Sequence, residues 1–168
     1  MQTARILIIA YGNPLRGDDG LAWHAAQKLS EQGLPEDAEL ITRHLLTPEL
    51  ALPVSEAATV LFIDATRAGV PGELASAPVK PQRQASSVFT HEFSATTILG
   101  MAQELYGKCP AAFSISLCGE CFEHGETLSA RVEEGLPRLV ALVSEFIHSA
   151  NPSQTARLPE PVRRLRSF

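Results

Sequence analysis

Three segments of the chain are apolar without alternating with polar residues, and such segments predict strands covered on both faces of a parallel sheet. They are residues 6–10, 59–63 and 111–117. Residues 38–43 predict a further short strand. Residues 73–79 predict a weaker strand that ends near Pro78 and Pro81, so we expect it to be antiparallel at an edge of the sheet.

Apolar residues at helical spacing lie between these strands. Residues 20–32 predict a first helix, which stops at Gly33. The sequence TPE at residues 47–49 supplies a capping residue, a proline and an acid, and it predicts the start of a second helix. Pro53 should keep that helix short or kinked.

Two further helices are predicted in the second half of the chain. The third is capped by Ser94 and closed by Gly107. It follows a polar segment, residues 82–92, which has no apolar periodicity and predicts a mobile loop. We expect Pro137 to bend the fourth helix, whose apolar face consists of Leu128, Val132, Leu136, Leu139, Val143, Phe146 and Ile147.

Strands that alternate with helices at this spacing predict an α/β fold. We expect a single three-layer domain, residues 1–148, in which a twisted, mostly parallel sheet of about five strands is flanked by helices on both faces. From residue 149 the chain is rich in proline and arginine and poor in apolar residues. Residues 149–168 therefore predict a disordered basic tail.

Composition and charge restrict the class of function. With 168 residues, 45% of them hydrophobic, the chain can bury one core without disulfides or a structural metal. A formal net charge of -5 and the lack of a Lys and Arg cluster in the domain argue against nucleic-acid binding. No apolar run approaches the roughly 20 residues of a membrane span, so we expect no membrane partner. Three cysteines and no signal-peptide pattern predict a reducing, cytoplasmic location.

Acidic residues follow two of the predicted inner strands, where an open α/β sheet forms its binding crevice. Asp18 and Asp19 follow the first strand in ILIIAYGNPLRGDDG, Asp64 follows the strand at residues 59–63, and His91 precedes the third helix. Each has a structural alternative. Asp18 or Asp19 could cap the first helix, Asp64 could accept hydrogen bonds from turn amides, and a lone loop histidine is more often without function.

Two carboxylates and one imidazole form a ligand set that suits a divalent ion such as Zn, Ni or Mn. The competing metal signal is the CxxC pair Cys118 and Cys121, with His124 nearby. A single pair is a weak signal because a structural zinc site needs four ligands, so we favour a plain loop there. We expect Cys109 to be a small buried or half-buried side chain.

Four segments, in order along the chain, resemble the nickel-iron hydrogenase maturation endopeptidases. They are GNPLRGDDG after an apolar strand, FIDA at a strand end, HEFSATTILGMA at the start of a helix and FEHGETLS before the last helix. The segment HLLTPELA resembles members that serve soluble, cytoplasmic hydrogenases. Leu21-Ala22-Trp23 departs from the family, because many members have a second glycine here, and we expect the bulkier Ala22 to alter the packing of the first helix.

The resemblance implies an open, twisted α/β sheet and an endopeptidase that removes the C-terminal extension of a nickel-iron hydrogenase large-subunit precursor after nickel insertion. It implies that Asp19, Asp64 and His91 are catalytic and bind a divalent metal, above all nickel, which is either resident or supplied by the precursor. Asp18 occupies the neighbouring acidic position and is a further catalytic candidate.

Two mechanisms and one rival function stay open. A resident ion could polarise the peptide carbonyl and lower the pKa of a bound water. Alternatively, the triad could dock onto nickel already in the precursor, with Asp18 or a freed aspartate as general base. A non-catalytic nickel chaperone for hydrogenase assembly would carry the same ligands. A nucleotide site is poorly supported, because the chain has no G-x-G-x-x-G and no P-loop lysine.

Overall fold

The computed structural model describes residues 6–83 and 93–149. Within these ranges the chain forms five strands and four α-helices. The strands are β1 (Ile6–Tyr11), β2 (Ala38–Arg43), β3 (Thr59–Thr66), β4 (Leu74–Pro78) and β5 (Ala111–Cys118). The helices are α1 (Leu21–Gln32), α2 (Ala51–Glu56), α3 (Ala95–Tyr106) and α4 (Ala130–Ser149), and 3-10 turns at Gly17–Gly20 and Pro48–Leu50 precede α1 and α2.

The strands form one sheet in the order β2-β1-β3-β5-β4. β1 is parallel to β2 and β3, and β3 is parallel to β5. β4 lies at the edge and is antiparallel to β5. The predicted mostly parallel sheet with a weak antiparallel edge strand is therefore confirmed, and the carboxyl ends of β1, β3 and β5 meet at one edge.

Helices cover both faces of the sheet, because the inner strands are apolar on both sides. On one face, Ile8 of β1 and Leu61 of β3 pack with residues of α1 and α4. On the other face, Ile9 and Phe62 pack with residues of α2 and α3. These two apolar layers form the core, and they confirm the three-layer arrangement expected from continuous aliphatic strands.

One strand is longer than its apolar run predicts. β3 continues to Thr66 because its pairing with β5 continues through Asp64, which lies opposite Ser116, to Thr66, which lies opposite Cys118. Asp64 is therefore part of the strand, whereas the sequence pattern placed it after the strand end. A residue inside a paired strand has a fixed side-chain direction, so this correction matters for the site.

Local signals predict the limits of the helices well. α1 ends at Gly33, which has a positive φ of 84°, and α3 ends at Gly107 with a φ of 67°. Ser94 caps α3 as expected, since its side chain accepts a hydrogen bond of 3.2 Å from the Thr97 amide. The TPE segment forms a 3-10 turn before α2, which has only six residues. α4 is continuous through Pro137, and the bend stays a prediction.

Several predictions concern residues outside the described ranges. His91 and most of the polar loop at residues 82–92 lie in the segment 84–92. The predicted basic tail lies almost entirely in residues 150–168. Across residues 6–83 and 93–149, no helix combines the length and apolar character needed to cross a membrane.

Candidate active site

Three neighbouring strands bring polar side chains to one level of the sheet. Asp64 lies directly opposite Ser116. Tyr11 follows Ala10, which is paired with Ile63, so the parallel register places Tyr11 beside Asp64 on the other flank. The Ser116 hydroxyl donates to Oδ1 of Asp64 at 2.6 Å, and the Tyr11 hydroxyl donates to Oδ2 at 3.1 Å. Each oxygen of the Asp64 carboxylate is therefore held by one hydroxyl.

The environment of Asp64 disfavours its charge. Burial raises the pKa of Asp64, the hydrogen bonds from Ser116 and Tyr11 oppose that rise, and the nearby charge of Asp19 adds to it, so the pKa lies above its usual range. Burial and the charge of Asp64 also raise the pKa of Tyr11. The phenol thus keeps the proton that it donates. The effect of Asp19 on Asp64 means that the two carboxylates lie within electrostatic reach.

Asp19 reaches the same edge of the sheet from the loop after β1. Its Oδ2 accepts a hydrogen bond of 2.8 Å from the Asn13 amide. The loop folds back tightly at Gly12, which has a φ of 146° and where a Cβ would lie 2.0 Å from the carbonyl oxygen of Asp19. Only glycine fits this contact. The GN pair of the sequence therefore holds the loop that presents Asp19.

Neither acid caps the first helix. The N-cap position of α1 is Gly20, and no side chain accepts a hydrogen bond there. Asp18 and Asp19 instead lie in the 3-10 turn Gly17–Gly20 and bond to separate parts of the chain. The capping alternative is therefore wrong for both residues.

Asp18 joins the loop after β1 to the loop after β5. Its side chain is fully buried, and it accepts hydrogen bonds of 2.7 to 2.8 Å from the amides of Glu120, Cys121 and Ser129 and from the Ser129 hydroxyl. Burial alone would raise the pKa of Asp18, but these hydrogen bonds together hold it below its ordinary value. Because its side chain is buried and its carboxylate already accepts four hydrogen bonds, Asp18 fits a structural clamp between the two loops and does not fit the auxiliary acid considered from the sequence.

The CxxC segment contributes backbone hydrogen bonds to this clamp. The Cys121 amide donates to Asp18, and the Cys121 carbonyl accepts from the Asp18 amide at 2.9 Å. Cys118 is buried, and burial together with the charge of Glu73 raises the pKa of its thiol, which disfavours the thiolate that binds metal. These contacts favour the plain-loop interpretation. Cys109 is exposed, which corrects the expectation of a buried side chain, because it lies in the connection between α3 and β5.

The departure at Leu21-Ala22-Trp23 has a packing role. Ala22 is fully buried in the layer formed with α4. The Trp23 indole N–H donates to the carbonyl of Gly12 at 2.8 Å, and its ring lies edge-on to His44. Helix α1 therefore holds the loop of Asp19 through a contact separate from the hydrogen bonds of Asp18. A groove of about 700 Å³ beside this loop is lined in part by Pro14, Leu15, Trp23, His24, Thr42 and Glu126.

His91 itself lies outside the described residues, but the helix that follows it is placed. A short connection, residues 107–110, joins α3 to the start of β5, so α3 runs antiparallel to β5 and begins towards the carboxyl edge of the sheet. Its apolar residues pack on the face of β3 that carries Phe62, and by alternation that face also carries Asp64. The chain therefore enters α3 on the side of the sheet where Asp64 lies.

The chemistry of the described donors fits a divalent ion. The charge of Asp19 disfavours the ionised form of Asp64, and a cation between two such carboxylates would relieve that repulsion. Each oxygen of Asp64 accepts one hydrogen bond and keeps a further acceptor site. Within residues 6–83 and 93–149, no three His, Cys, Asp or Glu side chains are grouped to hold a metal. The third ligand implied by the resemblance is His91, which lies outside these residues.

Sequence reasoning missed Tyr11 and Ser116. Both lie in segments that the apolar pattern assigned to strands or their ends, and nothing in one sequence marks a hydroxyl as the partner of a distant carboxylate. The signal that could have found them is register. Residues that end neighbouring parallel strands lie side by side, and Tyr11 and Ser116 flank Asp64 in this way.

Comparison with known proteins gives a consistent result. No protein-family model matches the chain, and no curated protein is significantly similar to it in sequence. Among solved structures, the NiFe hydrogenase maturation protease HycI from Thermococcus kodakarensis KOD1 is 26% identical, with a TM-score of 0.65 over 86% of this chain and 93% of that one. The hydrogenase maturating endopeptidase HybD from E. coli is 21% identical, with a TM-score of 0.68 over 88% and 94% of the two chains.

A third solved structure, the hydrogenase 2 maturation peptidase from Thaumarchaeota archaeon SCGC_AB-539-E09, is 23% identical with a TM-score of 0.64, and it covers 85% of this chain and 97% of its own. The more distant likenesses show the fold. The likeness to HycI extends over nearly the whole described domain, and it agrees with the four sequence segments that resemble the same family. The chain therefore has the fold of the hydrogenase maturation proteases, and its likeness to HycI together with the four sequence segments supports a peptidase of that family.

Proposed function

We propose that this protein is the endopeptidase that removes the C-terminal extension of a nickel-iron hydrogenase large-subunit precursor once nickel has been inserted. The observation that carries the proposal is the geometry at the carboxyl edge of the sheet, where Tyr11 and Ser116 hold Asp64 and the Asn13 amide holds Asp19 near enough for its charge to act on Asp64. HycI and HybD are named as hydrogenase maturation enzymes, which supports this substrate. Three free cysteines and the HLLTPELA segment support action in the cytoplasm.

The proposal includes a metal interaction. Asp19, Asp64 and His91 would hold a divalent ion, nickel above others, which is either resident in this protein or already bound in the precursor. When bound, such an ion polarises a peptide carbonyl and lowers the pKa of water. If the nickel belongs to the precursor, the three residues recognise a loaded substrate, and cleavage depends on completed nickel insertion.

The described residues restrict which group acts as general base. Asp18 is fully buried and accepts four hydrogen bonds, so we do not assign it to water activation. Asp19 and Asp64 are only partly buried and keep free acceptor sites. If an aspartate acts as general base, Asp19 and Asp64 are therefore the candidates, in the arrangement in which one of them is freed from the metal.

The test is a cleavage assay on a purified precursor. The protein is mixed with nickel-loaded and nickel-free precursor, and the intact mass of the large subunit is followed. We expect a discrete mass loss from the C-terminus of the loaded form only. If the loaded precursor keeps its full mass while nickel passes from this protein to the nickel-free precursor, the chaperone alternative is correct instead.

Matched variants test the residues. Asp19→Asn and His91→Ala should each reduce cleavage by at least about 100-fold, since each removes a group in contact with the reacting centre or its metal. The controls are Asp37→Asn and His148→Ala, which change exposed residues of the same types. Full activity of His91→Ala would refute the assignment of the third ligand.

A further inference from the structure

We propose that Tyr11 and Ser116 are positioning residues for Asp64, and that their hydroxyls together fix the direction in which the carboxylate presents its remaining acceptor sites. The proposal rests on the proposed function for the role of Asp64 as ligand. The inference goes beyond the proposed function, because neither hydroxyl belongs to the triad of Asp19, Asp64 and His91 that the resemblance implies.

The geometry is specific to these two hydroxyls. Ser116 donates to one oxygen of Asp64 at 2.6 Å, and Tyr11 donates to the other at 3.1 Å. Rotation of the carboxylate about its terminal bond would break both hydrogen bonds at once. Each oxygen keeps a further acceptor site, so the two bonds orient Asp64 without occupying it fully.

The backbone makes this arrangement rigid. Ser116 and Asp64 lie directly opposite each other on paired strands, and Tyr11 ends the strand on the other flank. Their neighbours along the strands, Ile63, Ile115 and Leu117, are buried in the layer on the other face. Hydroxyls on ordered strands between packed layers hold their partner more firmly than loop residues would, which is what a site requires of its supporting residues.

A purely structural role is the alternative. Tyr11 and Ser116 would then only satisfy a half-buried carboxylate, and their loss would change stability alone. The two accounts differ in nickel affinity and in turnover, measured at a temperature where every variant is folded. Supporting hydrogen bonds to a ligand typically change metal affinity or activity by about 10- to 100-fold.

The experiment compares Ser116→Thr with Ser116→Val, two variants of equal shape that differ in one hydroxyl. Nickel binding by the protein alone is measured by titration calorimetry, and kcat and KM are measured on nickel-loaded precursor. We expect Ser116→Thr to stay near wild type, and Ser116→Val and Tyr11→Phe to lose about 10- to 100-fold in nickel affinity or in kcat. The controls are Ser114→Ala, a serine on the same face of β5, and Tyr106→Phe, which is exposed.

The outcomes separate the two proposals. If the valine and threonine variants agree within about twofold in both nickel affinity and kcat, the positioning role is wrong, whether or not the wild type cleaves the precursor. If the wild type fails to cleave but the valine variant loses nickel affinity, positioning stands and the proposed function fails. In an Asp64→Asn background, Tyr11→Phe should have no further effect on nickel affinity, and a full additive loss would also overturn the proposal.

Discussion

Replacing Asp18 by asparagine should destabilise the protein strongly, although Asp18 is not assigned to catalysis. The buried carboxylate accepts four hydrogen bonds, from the amides of Glu120, Cys121 and Ser129 and from the Ser129 hydroxyl. Asparagine can replace only one of the two carboxylate oxygens with its carbonyl oxygen, and its NH₂ group then faces at least one backbone N–H, which cannot accept a hydrogen bond. The substitution keeps the shape of the side chain and removes the charge on which the clamp depends.

The size of the effect follows from the contacts. A hydrogen bond to a charged group contributes about 1.5–3 kcal/mol, and removing one partner of a buried charged interaction costs about 3–5 kcal/mol. Asparagine keeps one acceptor oxygen, so we expect the free energy of unfolding to fall by about 3–5 kcal/mol rather than by the sum of four hydrogen bonds. At about 2–4 °C per kcal/mol for a domain of this size, Tm should fall by about 6–20 °C.

The loss of stability in Asp18→Asn should depend on pH, because the clamp needs the ionised carboxylate. The hydrogen bonds hold the pKa of folded Asp18 below its ordinary value despite burial. A lowered folded pKa contributes stability that is present above the unfolded pKa, about 3.9, and is lost as pH falls through the folded pKa. The difference in Tm between wild type and Asp18→Asn should therefore be complete at pH 7 and shrink below about pH 4.

Thermal melts followed by circular dichroism at pH 7 and below about pH 4 measure the change in overall stability. Amide hydrogen exchange measures the hydrogen bonds of the clamp itself. Exchange at Cys121 and Ser129, whose N–H groups bond to Asp18, should accelerate in the variant. Asp37→Asn is the control, because Asp37 is exposed. A Tm within about 2 °C of wild type at pH 7, with unchanged exchange at these two amides, would refute the clamp.

Three further predictions follow from the site. Asp64→Asn should abolish cleavage in the mass assay. It should leave Tm at or above the wild-type value, because it removes a charge that burial and Asp19 disfavour. A large fall in Tm would show that the charge is stabilising. Gly12→Ala should unfold or severely destabilise the protein in urea titrations, since its Cβ would lie 2.0 Å from a backbone oxygen. Gly33→Ala, with open space around it, should cost only about 1–2 kcal/mol. Equal losses of stability in the two variants would contradict the close contact at Gly12. In a third test, this protein is treated with a chelator, and the chelator is removed before the nickel-loaded precursor is added. Cleavage should be abolished if the metal is resident in this protein, and it should be unchanged if the nickel belongs to the precursor.

Local chemistry in the sequence was sufficient for the elements and the layers of this fold. Continuous aliphatic runs are compatible with strands buried on both faces, so β1, β3 and β5 could be predicted, as could the weak edge strand β4. The caps and stops of the helices were equally local, since Ser94 bonds to a residue three positions later and Gly107 adopts a left-handed conformation that suits glycine. The acids Asp19 and Asp64 could be proposed because parallel strands bring their carboxyl ends to one edge.

The different roles of Asp18 and Asp19 were decided only by tertiary structure. The two residues are adjacent and chemically identical, so no local pattern can separate them. What separates them is the set of donors that each meets: Asp19 bonds to Asn13, six residues away, and Asp18 bonds to amides 102 to 111 residues later in the chain. The loop GNPLRGDDG thus presents one acid at the edge of the sheet and buries the other as its anchor, because the loop after β5 packs against it.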